Sequence, residues 1–177
     1  MKLNNCLLSG AIFVAAFTLT GCLKEADTAA NKILNNEVAG IVELLRTGQG
    51  QPAATSVYSV AVAATPAEEN LLLGYVRFNS STLPVSQVKV KLKLNNAALP
   101  ATVTALPGNA YSFVTPLNEI TIEPGTRMAP IRIILKKNLI TPGLNYGLRL
   151  EIEDAGGNGN LISPNVQILS VSLRVPR

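Results

Sequence analysis

The chain has 177 residues, of which 47% are hydrophobic and 15% are charged, and its formal net charge is +4 at pH 7. This length fits one domain, and the weak positive charge, without a cluster of basic and aromatic residues, excludes a nucleic-acid partner. The sequence contains no histidine, which excludes serine–histidine and cysteine–histidine catalysis and any histidine-based metal site. No enzyme activity, cofactor or metal ion is predicted.

The first predicted element is a secretory leader over residues 1–21. A lysine near the N-terminus precedes an apolar run, Cys6 to Leu19, that is too short to cross a bilayer as a helix. The run ends in Leu19-Thr20-Gly21-Cys22, which resembles a bacterial lipobox, where cleavage follows Gly21 and the Cys22 thiol carries a diacylglycerol. The alternative is an ordinary signal peptide followed by an unmodified cysteine. Removal of Cys6 with the leader would leave Cys22 alone, so no internal disulfide is predicted.

Residues 22–38 are predicted to form a lipidated N-terminus and tether. The sequence after the cysteine, LKEADTAANKILNNEV, lacks a durable apolar face. Leu23 stands where an aspartate would retain a lipoprotein in the inner membrane, and the Lys24–Glu25 pair resembles the surface-export signal of Bacteroidetes lipoproteins. These features predict a protein held in the outer membrane by its N-terminal lipid and facing the cell surface.

Residues 39–177 are predicted to form one β-sandwich domain. Apolar and polar residues alternate in segments separated by proline and glycine turns, and these segments are GIVELL, SVYSVAVAA, LLLGYVRFN, QVKVKLKLN, EITIE, PIRIILKK, NYGLRLEIED and VQILSVSLRV. This pattern predicts an all-β, Ig-like antiparallel sandwich of seven to eight strands. Gly74 predicts a bulge or a close approach in the third strand. The sequence AGGNGN predicts a hairpin loop.

The segment Gln87–Asn95 shows the alternation most clearly. Its inward positions are predicted to be Val88, Val90, Leu92 and Leu94, and its outward positions include Lys89, Lys91 and Lys93. The row of lysines has two interpretations. It could contact an acidic glycan or a lipid headgroup, or it could protect an edge strand from pairing with another chain. The edge strand is the preferred interpretation, and the three lysines are kept as candidate ligand contacts.

The order of the segments resembles the Bacteroidetes domain-of-unknown-function 1735 (DUF1735) family. The matching pieces, between about residues 40 and 175, are IVELL, VYSVAVAATP, VKVKLKLNNAAL, LPGNAYSF, EITIEPGTRMAPIRIIL and LNYGLRLEIEDAGG. The resemblance implies the Ig-like N-terminal domain of surface lipoproteins in glycan-utilisation systems, with a glycan-binding or glycosidase domain commonly following it. Since this sequence ends soon after the last predicted strand, we expect any such downstream function to be absent or supplied by a partner. The resemblance implies no catalytic residues for this sequence.

Two groups of polar residues are candidates for chemistry. Glu151 and Glu153 are two apart on one predicted strand, so their Cα atoms would be about 6.5–7 Å apart, and glycosidases use carboxyl pairs separated by about 5–9.5 Å. Arg149 shares that face and favours solvated ion pairs instead. Asp154, Asn158 and Asn160 could offer oxygens to calcium from one loop, but one carboxylate makes a poor site and a plain hairpin is preferred.

Aromatic side chains on a flat surface would provide a platform for sugar rings. Tyr58 and Tyr146 fall on inward positions and are predicted to belong to the core, which leaves Tyr111 and Phe113 as the candidate exposed pair. The sequence thus predicts a non-catalytic, membrane-anchored domain that acts as an accessory or scaffold in glycan capture. The alternatives are an assembly module that binds a protein partner, such as another surface lipoprotein, by a sheet edge, and a hydrolase.

Overall fold

The computed structural model describes residues 40–47, 56–157 and 159–177. The predicted leader, Cys22 and the tether lie outside these residues. Two β-sheets, with two single-turn 3₁₀ helices at Asn96–Ala98 and Lys137–Leu139, make up the described part of the chain. None of the helices in these residues has the length or the apolar character needed to cross a membrane.

The strands follow one another along the chain with short turns between them. In chain order they are β1 (Ile41–Leu45), β2 (Val57–Ala61), β3 (Glu68–Asn79), β4 (Val88–Leu94), β5 (Thr104–Ala105), β6 (Tyr111–Phe113), β7 (Ile120–Ile122), β8 (Met128–Lys136), β9 (Tyr146–Asp154), β10 (Leu161–Ile162) and β11 (Ile168–Arg174). All eight predicted strands are present, as β1–β4, β7–β9 and β11. The additional strands β5, β6 and β10 have only two or three residues each.

The strands form two sheets that pack face to face. Sheet A has the order β10-β1-β3-β8-β6, and sheet B has the order β2-β11-β9-β4-β7, with β5 paired to β9. The predicted all-β sandwich is confirmed. Most neighbours are antiparallel, but β1–β10, β2–β11 and β5–β9 are parallel, so the edges of the sandwich are mixed.

The core lies between the sheets and is built from alternate residues of the long strands. The inward positions that the sequence predicted and the structure confirms include Val88, Val90, Leu92, Ile131, Ile133, Leu135, Tyr146, Leu148, Leu150, Ile152, Leu169, Val171 and Leu173. Leu94 is an error of prediction, since it is 40% exposed. It is the last residue of β4 and lies beyond the part of that strand that β7 flanks.

Strand β11 departs from the predicted alternation because it is buried on both faces. Ser170 and Ser172 point away from the core, yet both are buried. β11 lies inside sheet B between β2 and β9, and the Ser59 and Ser172 hydroxyls lie 3.1 Å apart in a hydrogen bond. Neighbouring strands therefore cover these small side chains.

The predicted bulge in β3 is confirmed. The register against β8 shifts between Leu72 and Gly74. A Cβ atom on Gly74 would lie 2.3 Å from the Leu45 carbonyl oxygen and 2.9 Å from Leu169 Cδ2, so this position also makes the predicted close approach. Beyond the bulge the inward positions become Val76 and Phe78, and Tyr75 turns outward.

The AGGNGN segment corrects one prediction. It does not close a hairpin between β9 and β11, because the chain passes from it into β10, which pairs with β1 in sheet A. The chain then returns to sheet B as β11. Gly156 and Gly157 have φ angles of +85° and +69°, which L-amino acids with side chains rarely adopt. The glycines therefore serve a crossover between the sheets.

Candidate functional site

The three predicted lysines lie on the outward face of sheet B, each beside a carboxylate. The Nζ–oxygen distances are 2.6 Å for Lys89–Glu119, 3.7 Å for Lys91–Asp154 and 3.9 Å for Lys93–Glu151. The preferred interpretation of an edge strand is wrong, because β4 lies between β9 and β7. The lysines instead belong to ion pairs across the outward face of sheet B.

These ion pairs balance the charge of the face. A hydrogen bond from Lys89, and then its positive charge, lower the pKa of the Glu119 carboxyl, and the same contact raises the pKa of Lys89. Both side chains are exposed, so salt screens their attraction. An acidic ligand would have to displace the carboxylates already paired with the lysines.

Glu151 is held in a form unsuited to acid catalysis. Burial acts to raise the pKa of its carboxyl, but hydrogen bonds from Asn95 at 2.8 Å and Arg149 at 3.0 Å, with the charges of Arg149 and Lys93, lower it overall. A glycosidase needs a raised pKa on its general acid. The register shift in β4–β9 also places Asp154, and not Glu153, opposite Lys91. The geometry therefore favours the ion-pair interpretation of this face.

Tyr111 and Phe113 lie in β6, the edge strand of sheet A. They stand opposite the buried residues Leu135 and Ile133 of β8, so their side chains point to the core side. Both are half-buried, with ring centroids 5.6 Å apart and planes at 86°, and burial raises the pKa of Tyr111. The lysines lie on the outward face of the other sheet. The structure therefore does not bring these two parts of the predicted ligand contact onto one surface.

The polar groups of the loop that was considered for calcium form hydrogen bonds and an ion pair with other groups of the protein. One Asp154 oxygen accepts a hydrogen bond from the Gly156 N–H at 2.9 Å, and the other faces Lys91. The Asn160 amide donates to the Ala155 carbonyl at 3.1 Å. Asn158 lies outside the described residues. Among those that are described, no three His, Cys, Asp or Glu side chains cluster as a metal site would require.

The outward face of sheet A is a surface that the sequence interpretation missed, and we call it outer face A. Its residues form rows across β1, β3 and β8, and these are Glu43–Arg77–Met128, Leu45–Tyr75–Pro130, Leu72–Arg132, Asn70–Ile134 and Glu68–Lys136. Tyr75 sits at the middle of its row and is half-buried. The bulge at Gly74 reverses the alternation and turns Tyr75 outward.

Outer face A combines apolar surface with hydrogen-bonding groups. Arg77 Nε donates to Glu43 Oε2 at 2.8 Å, which fixes both side chains. Arg132 Nη1 lies 3.4 Å from Asn70 Oδ1, and within the part of the chain that the structure describes Arg132 has no ion pair. A sheet face of this kind can take an amphipathic ligand, with the ring of Tyr75 against its apolar side and Arg132 and Asn70 against its polar groups.

Two cavities are weaker candidates for a ligand site than outer face A. The first has a volume of about 160 Å³ and is lined by the end of β3 and the β3–β4 loop, including Phe78, Pro84 and Val85. This volume is below the roughly 300–1,000 Å³ typical of ligand pockets. The second, of about 580 Å³, is a depression bounded by β2 and β11 that includes Ser59, Ser172 and Arg174. The described residues that line it include no aromatic ring.

Comparison with known proteins finds likeness in structure and none in sequence. No protein-family profile matches this sequence, and no curated protein is significantly similar to it. A multidomain protein including DUF1735 from Bacteroides ovatus superposes with a TM-score of 0.55 at 14% identity, over 75% of this chain and 44% of that chain. A Bacteroides ovatus protein of unknown function gives 0.55 at 16% identity, over 78% of this chain and 46% of that chain.

A third solved structure is EndoBT-3987 of Bacteroides thetaiotaomicron with its Man5GlcNAc product, with a TM-score of 0.50 at 14% identity, over 66% of this chain and 28% of that chain. The chain thus spans less than half the length of each of these three proteins. At such identities the likeness shows the fold. The predicted resemblance is confirmed at that level, because this chain shares the β-sandwich of a protein that includes DUF1735.

Proposed function

We propose that this chain is a membrane-anchored, non-catalytic surface lipoprotein domain that acts as an accessory or scaffold in glycan capture at the outer membrane. Outer face A carries the proposal, since it places the Tyr75 ring and the hydrogen-bonding groups of Arg132 and Asn70 on one face of sheet A. The lipobox at Gly21–Cys22 supports anchoring, and the Bacteroides proteins that share the fold support a role with glycans.

The non-catalytic part of the proposal is supported by the chemistry of the carboxylates. Glu151 is tied to Asn95 and Arg149 with a lowered pKa, whereas a two-carboxylate mechanism requires one protonated acid near neutral pH. If the chain were a hydrolase, activity on polysaccharide would vanish in Glu151→Gln or Glu153→Gln. We expect no activity to lose in either variant.

The test is native affinity electrophoresis of the soluble domain, residues 23–177, through gels that contain different polysaccharides. We expect at least one polysaccharide to retard the domain and Tyr75→Ala to reduce the retardation. Tyr111→Ala removes a tyrosine ring from the core side of sheet A. It should lower the free energy of unfolding but leave the retardation by polysaccharide largely unchanged. If no polysaccharide retards the domain, the binding role is wrong.

The second candidate function is an assembly module that recruits a protein partner by strand addition at a sheet edge. It is favoured by β2, which forms one edge of sheet B and, among the described strands, pairs only with β11. Its outward residue Ser59 is exposed. A pull-down from native membranes should then recover a protein partner in stoichiometric amount, and recovery of the lipoprotein alone would count against this function.

A further inference from the structure

We infer that outer face A selects acidic glycans, with Arg132 binding the carboxylate of a uronic acid residue whose ring lies against Tyr75. This inference rests on the proposed glycan-binding function and names the class of sugar. Neither Arg132 nor Tyr75 belongs to the ligand contacts that the sequence predicted.

The register of β3 and β8 brings the two side chains together. Tyr75 stands opposite Pro130, and Arg132 is the next outward residue of β8 after Pro130. They are therefore diagonal neighbours on one face, a relation in which Cα atoms are about 7–8 Å apart and long side chains can reach one another's ligand. One sugar ring stacked on Tyr75 would place its carboxylate within reach of Arg132.

The charges of the two sheets differ in a way that favours an acidic ligand on sheet A. On sheet B, each of Lys89, Lys91 and Lys93 lies within 4 Å of a carboxylate oxygen. On sheet A, the Arg132 guanidinium has only the Asn70 amide oxygen, at 3.4 Å, among the described residues. A planar guanidinium can bind two oxygens of a carboxylate or of a tetrahedral oxyanion. We commit to the carboxylate of a uronic acid, with a sulfate ester as the competing ligand.

The distribution of polar groups favours a sugar over a protein on this face. Protein interfaces concentrate apolar side chains at the centre and charge at the rim. On outer face A, Arg132 and Asn70 stand in the middle rows, between the row of Tyr75 and the row of Glu68 and Lys136. Polar groups therefore reach into the middle of the face beside Leu72 and Ile134, where the hydroxyls and carboxylate of a sugar would meet them.

The experiment measures the apparent affinity of the full chain, in a non-ionic detergent, for three polymers by affinity electrophoresis. The polymers are polygalacturonate, dextran sulfate and neutral dextran. Polygalacturonate should bind most tightly, and Arg132→Gln should weaken this binding by about tenfold or more, since it removes a charge-assisted hydrogen bond. Tyr75→Ala should weaken binding roughly tenfold through lost apolar contact, whereas Tyr75→Phe keeps the ring and should bind as the unmodified chain does.

The matched control is Arg174→Gln, which makes the same change of charge at an exposed position of β11 on the other sheet. It should leave the affinity for polygalacturonate unchanged, and circular dichroism should show that every variant is folded. Equal losses in Arg132→Gln and Arg174→Gln, or tighter binding of dextran sulfate, would overturn the inference. The inference would also be overturned if polygalacturonate did not bind and a protein ligand bound to the unmodified chain but not to Tyr75→Ala. Binding of neutral glycans alone would overturn the inference and leave the proposed function standing, and binding of no glycan would overturn both.

Discussion

Glu43 is a buried carboxylate whose countercharge comes from the neighbouring strand. Glu43 is 5% exposed, and two nitrogen atoms of Arg77 donate hydrogen bonds to its carboxylate. Replacing Arg77 with methionine should lower the free energy of unfolding by about 2 kcal/mol, because the Glu43 charge would remain buried without this partner. Urea unfolding measures the change.

The matched control for Arg77→Met is Glu119→Gln, which breaks the exposed Lys89–Glu119 pair. This variant should unfold at the same urea concentration as the unmodified chain, since exposed pairs contribute little. Equal stability of Arg77→Met and the unmodified chain would show that Glu43 does not depend on Arg77.

Tyr58 should make the domain sensitive to strongly alkaline pH. Burial raises the pKa of its phenol to about 12, from an ordinary value of 10.0. The folded state therefore binds the phenol proton more tightly than the unfolded chain does. The stability that protonated Tyr58 contributes is complete below pH 10 and is lost as the pH rises to about 12. Burial also raises the pKa of Tyr111, so absorbance at 295 nm should show a late phase to which both tyrosines contribute. In Tyr58→Phe the part of this phase near pH 12 should disappear, and an unchanged phase would assign it to another tyrosine.

The residue-scale errors of prediction have a common cause, which is that alternation along one strand does not report what lies beside it. Ser170 and Ser172 are buried because β11 is flanked on both sides, and Leu94 is exposed where β4 ends. Tyr111 and Phe113 point inward because β6 aligns them with buried residues of β8. None of these neighbours can be identified from the local sequence.

Among the elements, β3 decides which side chains form the candidate site. Without a bulge, the alternation in LLLGYVRFN would place Leu71, Leu73, Tyr75 and Arg77 on one face and would bury an arginine. The bulge at Gly74 avoids this and turns Tyr75 and Arg77 to the surface. The arginine was the signal in the sequence that could have located the site.

The bulge gives a prediction at the scale of this element. Gly74→Ala should lower the free energy of unfolding by about 2 kcal/mol or more, because its Cβ atom would lie 2.3 Å from a backbone oxygen that cannot move without shifting β1. Gly108→Ala is the control, since nothing lies within 4 Å of its added Cβ atom. It should be neutral or stabilising by about 0.5 kcal/mol. A Gly74→Ala variant as stable as Gly108→Ala would mean that β3 and the Leu45 carbonyl of β1 do not approach closely there.

The long strands could be predicted from the sequence because each carries enough alternating residues to define an inner face. Strands β5, β6 and β10 have two or three residues, too few for a clear period. β7 is as short, but Ile120 and Ile122 alternate with polar residues within EITIE. The order of strands within the sheets also could not be predicted from local sequence patterns. This order alone makes β4 an internal strand and makes AGGNGN a crossover between the sheets. The prediction of a lysine-protected edge failed for this reason.

At the scale of the whole molecule, the two ends of the described domain lie at opposite ends of the sandwich. Gly40 lies against Phe78 at the end of β3, whereas Arg177 lies against Gly143 just before β9 begins. Seventeen residues separate Cys22 from Gly40, and an extended chain across that interval reaches about 60 Å. Under the proposed function, a lipid at Cys22 would join the domain at its Gly40 end, and a tether of this reach would allow outer face A, on the flank of the sandwich, to meet polymers outside the cell.

Lipid attachment at Cys22 is the prediction on which this arrangement depends. Cells given radiolabelled palmitate should incorporate the label into the unmodified chain, and the protein should fractionate with the outer membrane. Cys22→Ser should lose the label and leave the membrane fraction, because a serine offers no thiol for the diacylglycerol and stable anchoring takes two or more chains. Cys6→Ser is the control within the leader, and it should keep both label and location. If Cys22→Ser is still processed and stays with the membrane, the domain is held there by other means, and the approach from the Gly40 end no longer follows.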